Sequence, residues 1–275
     1  MRNPRRKIAF VLAASDHGTM IVNRFDYRMV DERRGFGVGF QILEGSSFDP
    51  QEVDVALSLL MLRRQYFGDG AVALDCGANI GVHTVEWAKR MNGWGHVVAI
   101  EAQERLFYAL AGNIAVNNCF NARAMHAAVA AKSGTMRIPM PDYLNPGSFG
   151  SLELRQSERT EFIGQPVDYS DKAAVTIRTV SIDSFEFPRL DLVKIDVEGM
   201  ETEAIEGAAA SLARCRPALM VESIKSDKAR LREMLEQHGY RLFDAGLNLL
   251  AIHGDDKTLA HVNTGDQPRA HVPGH

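Results

Sequence analysis

The run Asp75, Cys76, Gly77, Ala78, Asn79, Ile80, Gly81 places an acid and two glycines where the apolar segment Ala71 to Leu74 gives way to a helical one. Glycine in such a turn permits positive φ and a close backbone approach that side chains forbid. A helix starting at about Gly81 points its first amides back at the turn and favours a carboxylate there. Glu101 closes the next apolar segment, Val97 to Ile100, 26 residues after Asp75. An acid at the end of a second strand is the usual partner of ribose hydroxyls in a Rossmann-like sheet.

Glycine spacing then separates the candidate ligands. A G-x-G-x-x-G fingerprint from Gly77 needs glycines at Asn79 and Val82, and neither is present. No G-x-x-x-x-G-K-[ST] loop occurs, which argues against a P-loop hydrolase. A ligand with a ribose and an ammonium group but no pyrophosphate suits this arrangement. S-adenosylmethionine, with S-adenosylhomocysteine as its product, is that ligand. Asp75, Cys76, Gly77, Ala78, Asn79 and Gly81 would surround its amino-acid end. Glu101 with Ala102 would meet the ribose, and Ala127 and Ala128 would admit the adenine beside His126. A ligand-free strand–helix connection would use the same glycines, so the reading needs Asp75 and Glu101 as well.

Three further acids stand after apolar segments. Asp196 and Glu198 follow Leu190 to Ile195, and Glu222 follows Ala218 to Val221. Neighbouring carboxylates raise one another's pKa, making one a usable base, and together they favour a cationic ligand. Asp196 is assigned to orient cofactor or acceptor, and Glu198 or Glu222 to take a proton. Lys194 alternatively pairs with one of them and simply holds the strand ends. Asp196 with Glu222 is also similar to an oxygen-ligand pair for Mg²⁺ or Ca²⁺. Such pairs are common, so no metal is required. His83, in the first helical turn after the glycines, reads as a packing histidine.

These residues need a scaffold of alternating strands and helices. Beyond the two units already named, a helix carries Leu106, Phe107, Leu110 and Ile114, and β-prone runs lie at 122–129 and 135–138. Helices at 201–212 and around Leu231 to Leu235 separate the later strands. Repeated β-α-β units predict a mostly parallel sheet with helices on both faces and ligands beyond its carboxyl edge. Tyr240 to Phe243 and Leu247 to Ile252 predict a closing hairpin. Residues 1–65 form an extension: a hairpin turning at Asp16 to Gly18, a glycine-punctuated loop, and a helix with Asp49 as N-cap before Pro50. Residues 66–254 form the main domain. Within it, 139–174 is a lid or acceptor-binding insert offering Tyr143, Asn145, Ser148, Phe149 and Ser151. Residues 255–275, with His261, His271 and His275, read as a flexible tail.

Bulk properties limit the partners. Of 275 residues, 45% are hydrophobic, which suffices for a core, and the net charge of −4 recruits no nucleic acid. The short cluster Arg2, Arg5, Arg6, Lys7 reads as a solvated end. Three scattered cysteines, Cys76, Cys119 and Cys215, suggest neither a disulfide framework nor a zinc knuckle, and point to a reducing cytoplasm. Ile8 to Ala14 reads as a strand rather than a signal segment, and no run is long enough to span a membrane.

The chain resembles the FkbM family of methyltransferases. The resemblance rests on Leu74 to Gly81, Ala99 to Gln103, Asn113 to Asn118, Thr179 to Phe185, and Leu192 to Glu201 with Ala204 to Gly207, and Lys194 to Gly199 is the most specific of these segments. Ala102 replaces the family's usual proline. The resemblance implies a class I methyltransferase fold, S-adenosylmethionine as donor, and O-methylation of a hydroxyl on a sugar, glycan or natural-product acceptor. The alternative is a catalytically inactive relative that binds cofactor or partner. Oligomeric state is not legible.

Overall fold

The computed structural model describes residues 6–31 and 34–262. Arg2, Arg5, His271 and His275 therefore lie outside the described residues. The chain opens with β1 (Phe10–Ser15) and β2 (Gly18–Asn23), a hairpin whose register ends on Ser15 opposite Gly18. The short pair β3 (Arg28–Met29) and β4 (Gly35–Phe36) follows, then α1 (Val38–Gly45) and α2 (Pro50–Phe67). Next come β5 (Ala71–Cys76), α3 (Val82–Arg90), β6 (Gly95–Glu101), α4 (Glu104–Val116), β7 (Ala122–His126), β8 (Ala128–Val129) and β9 (Gly134–Ile138). The order closes with β10 (Val175–Val180), β11 (Leu192–Ile195), α5 (Glu201–Glu206), α6 (Ala209–Cys215), β12 (Ala218–Glu222), α7 (Lys228–Gln237), β13 (Tyr240–Ala245) and β14 (Asn248–His253).

One seven-strand sheet has the order β13-β14-β12-β11-β5-β6-β7. Its five strands from β12 to β7 are parallel, and β14 and β13 run antiparallel at one edge. This is the class I methyltransferase fold, with the expected closing hairpin. β5 is buried at all six positions, as a strand covered on both faces must be. Alternate residues divide between two cores. Ala71 and Ala73 pack with Leu60, Trp87 and Met91 from α2 and α3, whereas Val72 and Leu74 pack with Ala204, Leu212 and Leu231 from α5 to α7. The chain leaves β5 toward β6 and β7, then returns to β11 on its other side. A crevice opens beyond the strand ends at such a reversal.

The N-terminal 65 residues are built into this body. Met20, Val22, Val38, Ile42 and Val53 share a core with Ile80, Leu106 and Phe149. The glycine-punctuated stretch includes helix α1, whose Gly39 sits against Asn23 and Asp26, so close that a Cβ would strike the Asn23 carbonyl at 2.3 Å. The run 122–129 is two strands. β7 joins the main sheet and β8 joins a smaller one, ordered β8-β10-β9.

Residues 139–174 connect β9 to β10 and hold no strand, but they are anchored. Phe149, Leu152 and Ile163 are buried. Asp26, buried and pushed up to about 6 by burial, accepts N–H bonds from Phe149 (2.9 Å) and Gly39 (3.0 Å). Residues 255–262, expected as the start of a tail, carry a docked 3-10 turn. Asp256 and Asp191 both pair with buried Arg63, and His261 meets Tyr66 at 2.6 Å. Two buried carboxylates on one guanidinium are reason enough for that segment to stay in place. All three cysteines are free, and no helix among the described residues is long and apolar enough to cross a membrane.

Candidate active site

A cavity of about 320 Å³ opens at the carboxyl edge, beyond the paired ends of β5 and β11. Volumes of this order hold small ligands. Asp75, Gly77, Ala78 and Asn79 line it from the first turn, and Glu101, Ala102 and Ala128 from the ends of β6 and β8. Asp196, Glu198 and Glu222 line it from the ends of β11 and β12. Cys76 and Gly81 do not. Cys76 is the last residue of β5 and turns its thiol into the core, and burial raises its pKa. Gly81 caps α3 at φ 88, and its missing Cβ makes room for Leu110.

Gly77 is held at φ 81, and a Cβ there would stand 1.7 Å from the Asp196 carbonyl oxygen. Its glycine thus serves the approach of the β5 and β11 ends, which the Asp196 N–H bond to the Cys76 carbonyl (3.0 Å) fastens. Glu101 is 5% exposed and accepts one N–H bond per oxygen, from Asn79 (2.8 Å) and Gln103 (2.7 Å). A carboxylate offers about four lone-pair sites, so two remain for hydroxyl donors. Burial pushes its pKa up to about 7 against those two N–H bonds. Ala102, Ala127, Ala128 and Val129 form a small-residue wall beside it. This set fits a ribose carrying a flat ring. His126 turns away, bonding to the Ala102 carbonyl at 3.1 Å and stacking on Phe107. Asp75 is fully inside, bonded to Thr84 at 2.6 Å, with its pKa raised by burial.

The opposite end is rich in acid. Asp196, Glu198 and Glu222 each place a carboxylate oxygen within 4.8 Å of the others, near enough to surround a cation. Two of them already have ammonium partners: Lys194 lies 2.6 Å from Asp196, and Lys225 lies 2.5 Å from Glu198. Burial works to lower the Lys194 pKa, but Asp196, Glu52 and Asp75 outweigh it and raise it. Burial and then Asp196 raise Glu198 well above the carboxylate range, opposed by Lys225. Glu222 has no such partner. Its Oε2 is buried without a hydrogen bond, and burial together with Asp196 pushes its pKa up to about 8. A half-buried carboxylate with one buried, unpartnered oxygen and a raised pKa, beside a cavity, has the attributes of a general base.

Ser148 and Ser151 of the insert line the cavity, whereas Tyr143 and Phe149 are core and Asn145 bonds to Asp142 and Lys7 at the surface. The residues missed were those from the extension and the closing hairpin: Phe36, Phe48, Asp49, Glu52 and Asn248. Asp49 carried a usable signal, because its pattern suits an N-cap. In the structure it makes no capping bond, adopts φ 39, and faces the cavity instead. His83 also lines the cavity.

A family model described as the Methyltransferase FkbM domain matches residues 75–242. No curated protein matches the chain. Among solved structures, a methyltransferase FkbM from Methylobacillus flagellatus aligns at 16% identity and TM-score 0.47, over 70% of this chain and 48% of that one. This chain thus spans about half the length of that relative. A precorrin-6y C5,15-methyltransferase from Geobacter metallireducens aligns at 15% identity and TM-score 0.45, over 76% and 90% of the two chains. A SAM-dependent methyltransferase from Aquifex aeolicus aligns at 15% identity and TM-score 0.35, over 75% and 97%.

Proposed function

Because this chain belongs to the FkbM methyltransferase family, we propose that it O-methylates a hydroxyl of a sugar, glycan or natural-product acceptor, with Glu222 as general base. Membership of that family and the class I fold support S-adenosylmethionine as the methyl donor. The finer reading is carried by one observation: the unpartnered carboxylate of Glu222 shares a cavity with Glu101 and the Gly77 turn. S-adenosylmethionine, when bound, supplies an electrophilic methyl carbon on a sulfonium. Glu101 accepts the ribose hydroxyls, the Gly77 to Asn79 backbone faces the amino-acid end, and Ala127 to Val129 flank the ring. Lys194, 2.6 Å from Asp196, holds its carboxylate in place to orient the reactants. Glu222 takes the proton that the acceptor hydroxyl must lose as the oxygen becomes an ether. The acidic surroundings also favour a cationic donor over its uncharged product.

Incubating the protein with isotopically labelled S-adenosylmethionine and a metabolite or glycan pool tests the assignment. A labelled ether product is expected. Cofactor binding without any labelled product would favour the inactive alternative, and label on nitrogen or carbon would reject O-methylation.

Two narrower results follow from the site. Glu101→Ala should weaken S-adenosylhomocysteine binding by about a hundredfold or more, because hydrogen bonds to a charged group contribute about 1.5–3 kcal/mol each and two are lost. Unchanged calorimetric affinity would remove the ribose assignment. The acceptor kcat/KM at saturating donor should rise with pH to about 8 and then level. The sign follows from the base form: Glu222 acts only when ionised, so each unit below its pKa lowers the active fraction about tenfold. Stopped assays from pH 6 to 9 would show it. A flat profile would exclude Glu222 as base.

A further inference from the structure

The cavity has a polar end remote from Glu101. Glu52, in the first turn of α2, accepts from Asn248 of β14 at 2.7 Å and lies 3.7 Å from Lys194 of β11. β6, which ends on Glu101, and β14 are four places apart in the sheet, or about 19 Å at ordinary strand spacing. Asn248, and Glu52 bonded to it, therefore stand well away from a ribose resting on Glu101, on the side of the Glu222 that pairs in register with Asn248.

His83 marks what that end is built for. It is 6% exposed, and its Nε2 has no hydrogen-bond partner. Glu52 Oε1 lies 3.3 Å away without the alignment of a hydrogen bond. A buried polar atom left in this state costs about 1–3 kcal/mol unless something completes it. Burial and Lys194 hold the imidazole pKa well below its usual value, so the ring is neutral. A ligand here must bond to a neutral ring nitrogen and also donate to a carboxylate. The facing Glu52 carboxylate favours the tautomer with its hydrogen on Nε2, and a hydroxyl then accepts from the ring and donates its single hydrogen to the carboxylate. An ammonium has no lone pair to accept that Nε2 hydrogen, and a carboxylate or phosphate would face Asp49, Glu52 and Asp196, with Lys194 already paired to Asp196. Phe36, 59% exposed, and Phe48 line the same cavity and offer apolar ring surface.

We propose that Glu52, His83 and Asn248 form a subsite for a second hydroxyl of an uncharged carbohydrate acceptor, and that Asp49 and Glu52 reject anionic sugars. Glu52 and Asn248 lie outside the family-matched residues 75–242, so two of the three subsite residues come from this chain's extension and closing hairpin. The proposal rests on the O-methylation reading above.

Saturation-transfer NMR tests it, using the methyl glycosides of glucose, galactose and mannose, and glucuronate, each with S-adenosylhomocysteine present. At least one neutral glycoside should bind and glucuronate should not. Glu52→Gln, and separately Asn248→Ala, should weaken the neutral sugar about fivefold or more, the loss of one net hydrogen bond. Both variants should keep S-adenosylhomocysteine affinity within about twofold, since they leave Glu101 and the Gly77 turn alone. The proposal is overturned if S-adenosylhomocysteine binds and no glycoside does, if glucuronate binds equally well, or if the variants hold sugar normally. Loss of S-adenosylhomocysteine from the variants would make Glu52 and Asn248 structural and also overturn it. If the unaltered chain bound no S-adenosylhomocysteine, the methyltransferase reading itself would fall, a result distinct from the others.

Discussion

Glu222→Gln is expected to lower kcat by about 10²–10⁴-fold, the usual contribution of a positioned general base, while S-adenosylhomocysteine affinity changes little. Glutamine keeps the shape of the side chain and removes only its capacity to take a proton. The expectation singles out Glu222 because the neighbouring acids are differently placed. Asp196 and Glu198 are occupied by Lys194 and Lys225, whereas Glu222 Oε2 is buried and unbonded. The same substitution should flatten the rise of activity toward pH 8, linking the residue to the titration. Steady-state kinetics with calorimetric control of donor binding separates chemistry from affinity. Near-normal kcat in the variant would transfer the role to Glu198, or show that the reaction needs no base from this cluster.

Gly77→Ala should be the most damaging single methyl that can be added to the site. Its Cβ would fall 1.7 Å from the backbone oxygen of Asp196, and neither partner is a flexible side-chain end. Alanine is also strained at φ 81. The ends of β5 and β11 must separate to admit it, disturbing the Asp196 to Cys76 bond and the acids that follow. A destabilisation of about 3 kcal/mol or more is expected, which for a chain of this size lowers Tm by roughly 10 °C. Donor binding should fall by more than about a hundredfold, since a shift of this kind loses contacts worth a similar energy. Thermal melting and titration with S-adenosylhomocysteine would check both. Gly81→Ala is the comparison, because there the new methyl meets only the end of the Leu110 side chain. A Gly77→Ala protein with unaltered melting and affinity would refute this account of the turn.

Much of the donor half was legible because it is local. A strand end, a glycine turn and a helix start are consecutive in the chain, and Glu101 is one β-α-β unit away. Even there, pattern and purpose diverged. Gly77 was read as room for a ligand, and its Cβ position is taken by the chain itself. Cys76 and Gly81 share the motif but not the cavity, since alternation along β5 sends one inward and α3 packing claims the other. Asp49 does occupy the N-cap position before Pro50, but its side chain makes no capping bond and faces the cavity. Residues 139–174 stand out in the sequence as a break in periodicity. Which of them turn inward depended on Asp26, more than 100 positions earlier.

What the sequence by itself determined is the strand–helix alternation of the main sheet, its parallel order with the closing hairpin, the identity of the first turn, and three acids at strand ends. Helix α1, the break between β7 and β8, and the split of 201–212 into α5 and α6 were not legible. The legible features follow from period, turn chemistry and spacing, all short-range properties. Only the tertiary structure decided that Lys194 and Lys225 take two of the acids and leave Glu222 unpaired, and that Glu52 and Asn248, 196 residues apart, meet beside His83. Ion-pair choice and desolvation depend on which side chains the packed core brings within a few ångströms, and spacing along the chain does not encode that distance.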